Sequence, residues 1–171
     1  MTSIVRATLH DIKLLTILGK KTFIESHGMS ASKADIDVYT HLKFTNEVFE
    51  NELKDSNNNY FILYYNQKPV GYSKTIFNFS SPNISLKNVT KLERLYVLQE
   101  FHNLKLGLQL FNLNIQESIK NNQAGIWLFV WTENLKAINF YKKVGFEIVG
   151  RHDFKISETH SNPNHQMLLT Y

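Results

Sequence analysis

A chain of 171 residues, 43% hydrophobic and 13% aromatic, is long enough for one domain with a substantial core. With no cysteine it has no disulfide framework, no thiolate nucleophile and no thiolate metal site. No stretch approaches the ~18 consecutive apolar residues of a membrane span, and Met1–Arg6 carries no apolar signal core, so a cytoplasmic address is the expectation. The net charge of +4 is uneven, with seven Lys/Arg against eight Asp/Glu in residues 1–60 and twelve against seven in residues 61–171.

Ser3–Ala7 reads as a first strand, and Thr8-Leu9-His10-Asp11 has the Thr-x-x-acid form of a helix N-cap. Ile12, Leu15 and Leu18, flanked by Leu14 and Ile17, carry that helix to about Phe23, and Ile24–Ser30 breaks the period. A second helical segment falls within Lys33–Leu42. Thr45 caps a third, whose Val48, Phe49 and Leu53 face inward.

Tyr60-Phe61-Ile62-Leu63-Tyr64-Tyr65 is an apolar run suited to a strand covered on both faces. Asn66-Gln67-Lys68-Pro69 turns the chain, Val70–Phe79 runs back, Ser80–Asn83 ends it, and Val89–Val97 returns, which makes an antiparallel meander. Next comes a long helix whose Leu104, Leu108, Phe111, Ile115 and Ile119 form a stripe to be buried. A strand feeding a helix through a short polar turn leaves backbone N–H groups pointing off the helix N-terminus. That is an anion site, usually for phosphate, and the basic excess lies in this part of the chain.

Asn121–Gly125 ends the long helix and Ile126–Trp131 is the most apolar strand, so the crossover is a βαβ unit with parallel strands. Thr132-Glu133-Asn134 leads into a helix with Ala137, Ile138, Tyr141 and Val144 on one side, ended by Gly145 in the left-handed C′ position. Phe146–Phe154 and His165–Tyr171 are the last strands, separated by a loop containing Pro163.

The order and the residues together resemble the GNAT superfamily of acetyl-CoA-dependent N-acetyltransferases. Leu92–Val97 followed by His102-Asn103-Leu104-Lys105-Leu106-Gly107 is similar to that family's fourth strand and pyrophosphate loop. Ile126–Trp131 with Asn134-x-x-Ala137-x-x-Phe140-Tyr141-x-x-x-Gly145-Phe146 is similar to its fifth strand and following helix. The Trp-rich strand and Lys20-Lys21-Thr22-Phe23 look most like the PaiA-type spermidine/spermine N-acetyltransferases.

The resemblance implies a single α/β domain over residues 1–171, with a mixed, twisted sheet of about seven strands flanked by helices. Its central parallel strands should splay apart for acetyl-CoA. Backbone groups around Leu95, Tyr96 and Val97 would bind the pantetheine arm, with the Val97 N–H as oxyanion donor. His102, Asn103, Leu104, Lys105, Leu106, Gly107 and Leu108 would hold the pyrophosphate, and Asn134 would both cap its helix and touch the cofactor.

The family loop runs Gln/Arg-x-x-Gly-x-Gly/Ala. Here His102 takes the first position, Lys105 replaces the first glycine and Gly107 remains. A negative φ at Lys105 leaves its amide free to face phosphate, whereas a positive φ costs ~1 kcal/mol or more.

By the same resemblance Tyr141 is the general acid for the CoA thiolate, although an aromatic at helical spacing is also ordinary core packing. Glu93, a carboxylate in mid-strand, either has partners or a task; the task would be to accept the amine proton or to bind the cationic acceptor. Glu93 and Arg94, adjacent in a strand, should point to opposite faces. The helices of residues 10–55 would form the lid over the amine, with Glu25, Asp35, Asp37 and Glu47 as candidate contacts. The acceptor is expected to be a polyamine; a peptide N-terminus, an amino sugar or an aminoglycoside stays open, as does a homodimer.

A catalytically silent binding or sensor module on the same fold is the alternative. A nucleic-acid partner is disfavoured, because the aromatic residues sit in runs that look buried. The seven histidines form no metal-ligand spacing, so no metal is expected. Neither a Gly-x-Ser-x-Gly elbow nor a P-loop lysine motif occurs.

Overall fold

The run Tyr60–Leu63 sets the layering of the molecule. Tyr60 and Ile62 enter one apolar cluster, Phe61 and Leu63 another, as alternation on a strand covered on both faces requires. The computed structural model describes residues 1–171. Its strands are β1 (Thr2–Arg6), β2 (Asn58–Tyr65), β3 (Lys68–Ile76), β4 (Val89–Val97), β5 (Gly125–Trp131), β6 (Glu147–Lys155) and β7 (Ser161–Thr170). Its helices are α1 (Ile12–His27), α2 (Lys33–Lys43), α3 (Asn46–Lys54), α4 (Leu106–Lys120) and α5 (Leu135–Lys143). Short 3-10 segments at Leu9–Asp11 and Gln99–Leu104 lead into α1 and α4.

The seven strands form one sheet in the order β1-β2-β3-β4-β5-β7-β6. Only β4 and β5 are parallel; every other neighbouring pair is antiparallel. One face is covered by α1, α2 and α3 through Leu15, Leu18, Phe23, Ile36 and Phe49. The other is covered by α4 and α5, with Leu106 and Leu110 on β2 and β3, and Phe111 and Ile138 beside Leu92, Ile126 and Leu128. No helix is long and apolar enough to cross a membrane.

Local chemistry explains the connections. Thr8 and Asp11 exchange both bonds of a capping box, while Ser32, Thr45 and Asn134 accept from Asp35, Val48 and Ala137 backbone N–H groups to cap α2, α3 and α5. The β2–β3 turn has φ of 47° at Asn66 and 66° at Gln67, the doubly left-handed turn that matches the twist of a tight hairpin. Gly145, with φ of 103°, ends α5.

Several boundaries differ from expectation. The break placed at Ile24–Ser30 falls later, because α1 continues to His27 and ends against Gly28. β3 stops at Ile76 rather than Phe79. β7 begins at Ser161, so Pro163 lies inside a strand and the loop is residues 156–160; Pro163 pairs with Asp153 of β6, beyond the last β5 partner, Asn164.

The α4 stripe is rotated from the one expected. The buried residues are Leu106, Leu110, Phe111, Asn114 and Ser118, while Leu104, Leu108 and Ile119 are exposed. Hydroxyls on the sheet account for this: Asn114 exchanges hydrogen bonds with Ser73 (3.1 and 2.9 Å), and Ser118 bonds Thr90 at 2.6 Å. Two buried polar groups satisfied in this way hide the true face from a hydrophobic count.

Candidate active site between β4 and β5

The parallel pairing of β4 and β5 lasts three residues, Val89–Lys91 against Gly125–Trp127. Beyond it the strands part, leaving Leu92–Val97 and Leu128–Trp131 with free edges that face each other across a cleft of about 250 Å³. Leu98 N–H donates to the Val70 carbonyl of β3 at 2.8 Å. Alternation along an antiparallel ladder therefore turns the backbone groups of Leu95 and Val97 away from β3 and into the cleft. Unpaired strand edges of this kind bind an extended chain.

At one end of the cleft lies the N-terminus of α4, which no side chain caps. Lys105 sits there with φ of 55° and ψ of 21°, so the left-handed conformation applies, with its cost of ~1 kcal/mol or more for a residue with a Cβ. Gly107 lines the cleft, and a Cβ built on it meets only Val97 Cγ2 at 3.8 Å. Across the mouth, Lys136 Nζ donates to His102 Nδ1 at 2.8 Å and His102 Nε2 bonds the Val97 carbonyl at 2.7 Å. Because the ammonium can only donate, the imidazole proton is on Nε2.

Tyr141 enters the cleft from α5. Its ring packs edge-on to Phe140 and Phe146, each 5.3 Å away between centroids, and burial pushes its phenol above the usual range. The packing weighed for this residue is therefore present, and its ring also lines the cleft.

Glu93 reaches the cleft from β4, at a slip in the β3–β4 register: Lys74 pairs with Arg94, but Thr75 pairs with Leu92, so Glu93 has no partner on β3. One extra residue bends a strand and re-aims its side chains. Glu93 and Arg94 consequently line the same cavity, which corrects the expectation of opposite faces.

Glu93 is ion-paired with Lys74 at 2.8 Å and more loosely with Lys91 at 3.7 Å. Burial alone would raise its carboxyl, but Lys74, Lys91 and Arg94 outweigh burial and hold it below the usual carboxylate range. Arg94 itself bonds Glu52 at 3.1 Å and the Tyr60 hydroxyl at 2.8 Å, and Glu52 also pairs with Lys74 at 2.9 Å.

A second cavity of about 130 Å³ adjoins the first on the α1 side of the sheet. His27 lines both cavities, brought there by the extra turn of α1. The loop after it is tied to the entry of β7, by His160 Nε2 of the preceding loop to the Ser30 carbonyl (2.8 Å) and by Asn162 Nδ2 of β7 to Ser30 Oγ (2.8 Å). His27 stacks on Phe23 with centroids 4.8 Å apart; burial lowers its pKa to about 4, against a weaker opposite pull from the Phe23 carbonyl.

Of the residues singled out from the sequence, Glu93, Leu95, Tyr96, Val97, His102, Gly107, Asn134 and Tyr141 line the cleft. Asn103, Leu104, Lys105, Leu106 and Leu108 do not, and the Leu106 side chain is buried in the core beside Leu110. Glu25 lies outside it, since its carboxylate accepts from Gln99 N–H at 2.8 Å and caps the 3-10 segment before α4. Asp35 is bonded to Ser32, Asp37 to Lys33, and Glu47 is exposed, so none of the lid carboxylates faces either cavity. His27, Lys91 and Lys136 escaped notice: His27 and Lys91 stand outside any motif, Lys136 occupies a variable position of the Asn134–Phe146 block, and only tertiary packing brings them to the cavities.

Residues 25–146 match the model of the acetyltransferase (GNAT) family. An uncharacterised N-acetyltransferase of Methanocaldococcus jannaschii is 30% identical over 125 residues, 73% of this chain; the match spans about half, 55%, of that relative's length. One of Lactobacillus delbrueckii subsp. lactis is 23% identical over 155 residues, covering 91% and 90% of the two chains. Among solved structures, the PaiA N-acetyltransferase of Thermoplasma acidophilum, determined in complex with coenzyme A, superposes with a TM-score of 0.80 at 19% identity over 100% and 99% of the chains; that likeness shows the fold. The chain belongs to the acetyltransferase (GNAT) family.

Proposed function

We propose that this member of the family transfers an acetyl group from acetyl-CoA to a primary amine by direct attack in a ternary complex, in the cytoplasm. The observation that carries the reading is the pair of facing strand edges, Leu92–Val97 and Leu128–Trp131, which lead from the uncapped α4 N-terminus to Glu93 and Tyr141. Acetyl-CoA supplies the activated thioester, whose carbonyl carbon bonds the amine nitrogen as its bond to sulfur breaks.

The chain's residues fit that cosubstrate. Backbone groups of Leu95 and Val97 offer hydrogen bonds to an extended pantetheine arm, and the leading N–H groups of α4, with the charges of Lys105 and Lys136 nearby, suit a pyrophosphate. The Val97 N–H stabilises negative charge building on the acetyl oxygen. Glu93, ionised at neutral pH, accepts the amine proton directly or through water, and Tyr141, kept protonated by burial, gives its proton to the departing thiolate.

For the acceptor, the sequence resemblance points to a polyamine such as spermidine, a reading the charges around the site do not favour. Glu93 and Glu52 are the carboxylates available to it on this side of the sheet, and both are already paired. The test is thiol release from acetyl-CoA in the presence of a panel of amines. Release dependent on an amine supports the transferase, and acetyl-CoA binding without release on any amine overturns it in favour of a sensor.

A further inference from the structure

The second cavity specifies the chemistry of the acceptor, and three observations converge on it. One part of its wall is aromatic, with Phe23, Tyr39, Phe44, Phe129, Trp131 and Phe154, and the rest is polar, with Asn162 and Asn164 beside the charged groups. Its volume of about 130 Å³ is near the ~150 Å³ of an apolar cavity that takes up one benzene molecule, so it suits a single compact ring rather than a long chain. Finally, its charge is the wrong sign for a polycation.

That charge is set by few groups. Glu52 is held by Arg94 and Lys74, and Glu93 by Lys74 and Lys91. Three cations therefore face two carboxylates, and the other titratable rings in the lining are neutral at physiological pH: burial lowers the pKa of His27 and raises the phenols of Tyr39 and Tyr96. Lys91 is the cation left over. Its ammonium lies 3.7 Å from Glu93 and otherwise rests against the rings of Phe79 (4.9 Å), Trp127 (5.5 Å) and Phe129 (5.9 Å). It lines the cavity with capacity for another anion.

We infer that the acceptor is a mono-amine with one compact aromatic or apolar group and an acidic group that pairs with Lys91, of the aromatic amino acid type, and not a polyamine. The inference rests on the transferase reading above. The ring occupies the aromatic walls, the carboxylate meets the Lys91 ammonium, and the amine lies toward Glu93, which opens on both cavities. A spermidine chain would place two further cations among groups that already carry a net positive charge, with no unpaired carboxylate to receive them.

Thiol release from acetyl-CoA tests this with three amines: L-phenylalanine, phenethylamine, which keeps the ring and lacks the carboxylate, and spermidine. The expected result is kcat/KM for phenylalanine about tenfold or more above both others. In Lys91→Met the advantage of phenylalanine over phenethylamine collapses, while thermal unfolding confirms that the variant is folded. Spermidine equal to or better than phenylalanine overturns the inference and leaves the transferase standing. So does an unchanged phenylalanine-to-phenethylamine ratio in folded Lys91→Met. Release on another amine of a wider panel but on none of these three overturns this inference alone; acetyl-CoA binding with no release on the whole panel overturns the transferase reading and this one with it.

Discussion

Glu93 and Arg94 are neighbours on β4 that share a face, because the strand register slips by one residue between Lys74 and Thr75. The slip places a carboxylate beside the cleft and a guanidinium beneath it, and Lys74 on β3 bridges the two through Glu93 and Glu52. If Glu93 accepts the amine proton, Glu93→Gln lowers kcat/KM by about 10²-fold, with acetyl-CoA affinity close to wild type by calorimetry. Because its pKa is depressed, the ion pair contributes stability above the unfolded-state value, and that stability is lost as pH falls through the lower folded value. The acid limb of the rate profile assigned to Glu93 should therefore lie below the usual carboxylate range.

Tyr141→Phe separates acid catalysis from packing. The ring contacts with Phe140 and Phe146 survive the change, so the unfolding midpoint should move little, while kcat falls by about 10²-fold at nearly constant acetyl-CoA affinity. Burial raises the phenol's pKa, hence the wild-type rate should show no Tyr141 deprotonation limb up to at least the ordinary phenol range. A kcat unchanged in Tyr141→Phe would leave the residue a packing role only.

Lys105 holds a left-handed conformation that glycine adopts without penalty. Lys105→Gly should raise stability by about 1 kcal/mol, or about 2–4 °C in Tm for a chain of this size. Lys105→Ala keeps the strained conformation and removes the charge. Its Tm should stay near wild type, and its acetyl-CoA affinity should fall by no more than about fivefold, the ~1 kcal/mol ascribed to one exposed charge.

His27 provides a stability signature. Its folded pKa of about 4 lies below the 6.5 of a free imidazole, so the unfolded chain takes up a proton that the folded chain resists. Its contribution is complete above pH 6.5, declines as pH falls from 6.5 to 4, and changes no further below. In urea titrations across this window, His27→Phe, which retains stacking on Phe23, should remove that slope; an identical slope in the variant would show that another group produces it.

Much of this architecture was legible from residue order. The continuous apolar run at Tyr60–Tyr65, the caps at Thr8, Thr45 and Asn134 and the left-handed Gly145 act locally, so each reads correctly from its neighbours. The Asn134–Phe146 block, with its helix and Tyr141, reads for the same reason. The buried face of α4 did not, because Asn114 and Ser118 are satisfied by partners 41 and 28 residues away. Nor did the shared face of Glu93 and Arg94, since a register slip belongs to a strand pair and leaves no trace in either strand alone. Glu25 was misplaced because its target, the Gln99 N–H, is 74 residues distant.

The measurement closest to the central claim is calorimetric titration of acetyl-CoA into the wild-type chain and into Gly107→Phe. A Cβ at Gly107 meets nothing nearer than 3.8 Å, so the larger ring can project into the cleft while α4 keeps its place. The account predicts one acetyl-CoA bound per wild-type chain and binding lost in Gly107→Phe with its Tm preserved. Absence of binding by the wild type, or equal affinity in the folded variant, would contradict it.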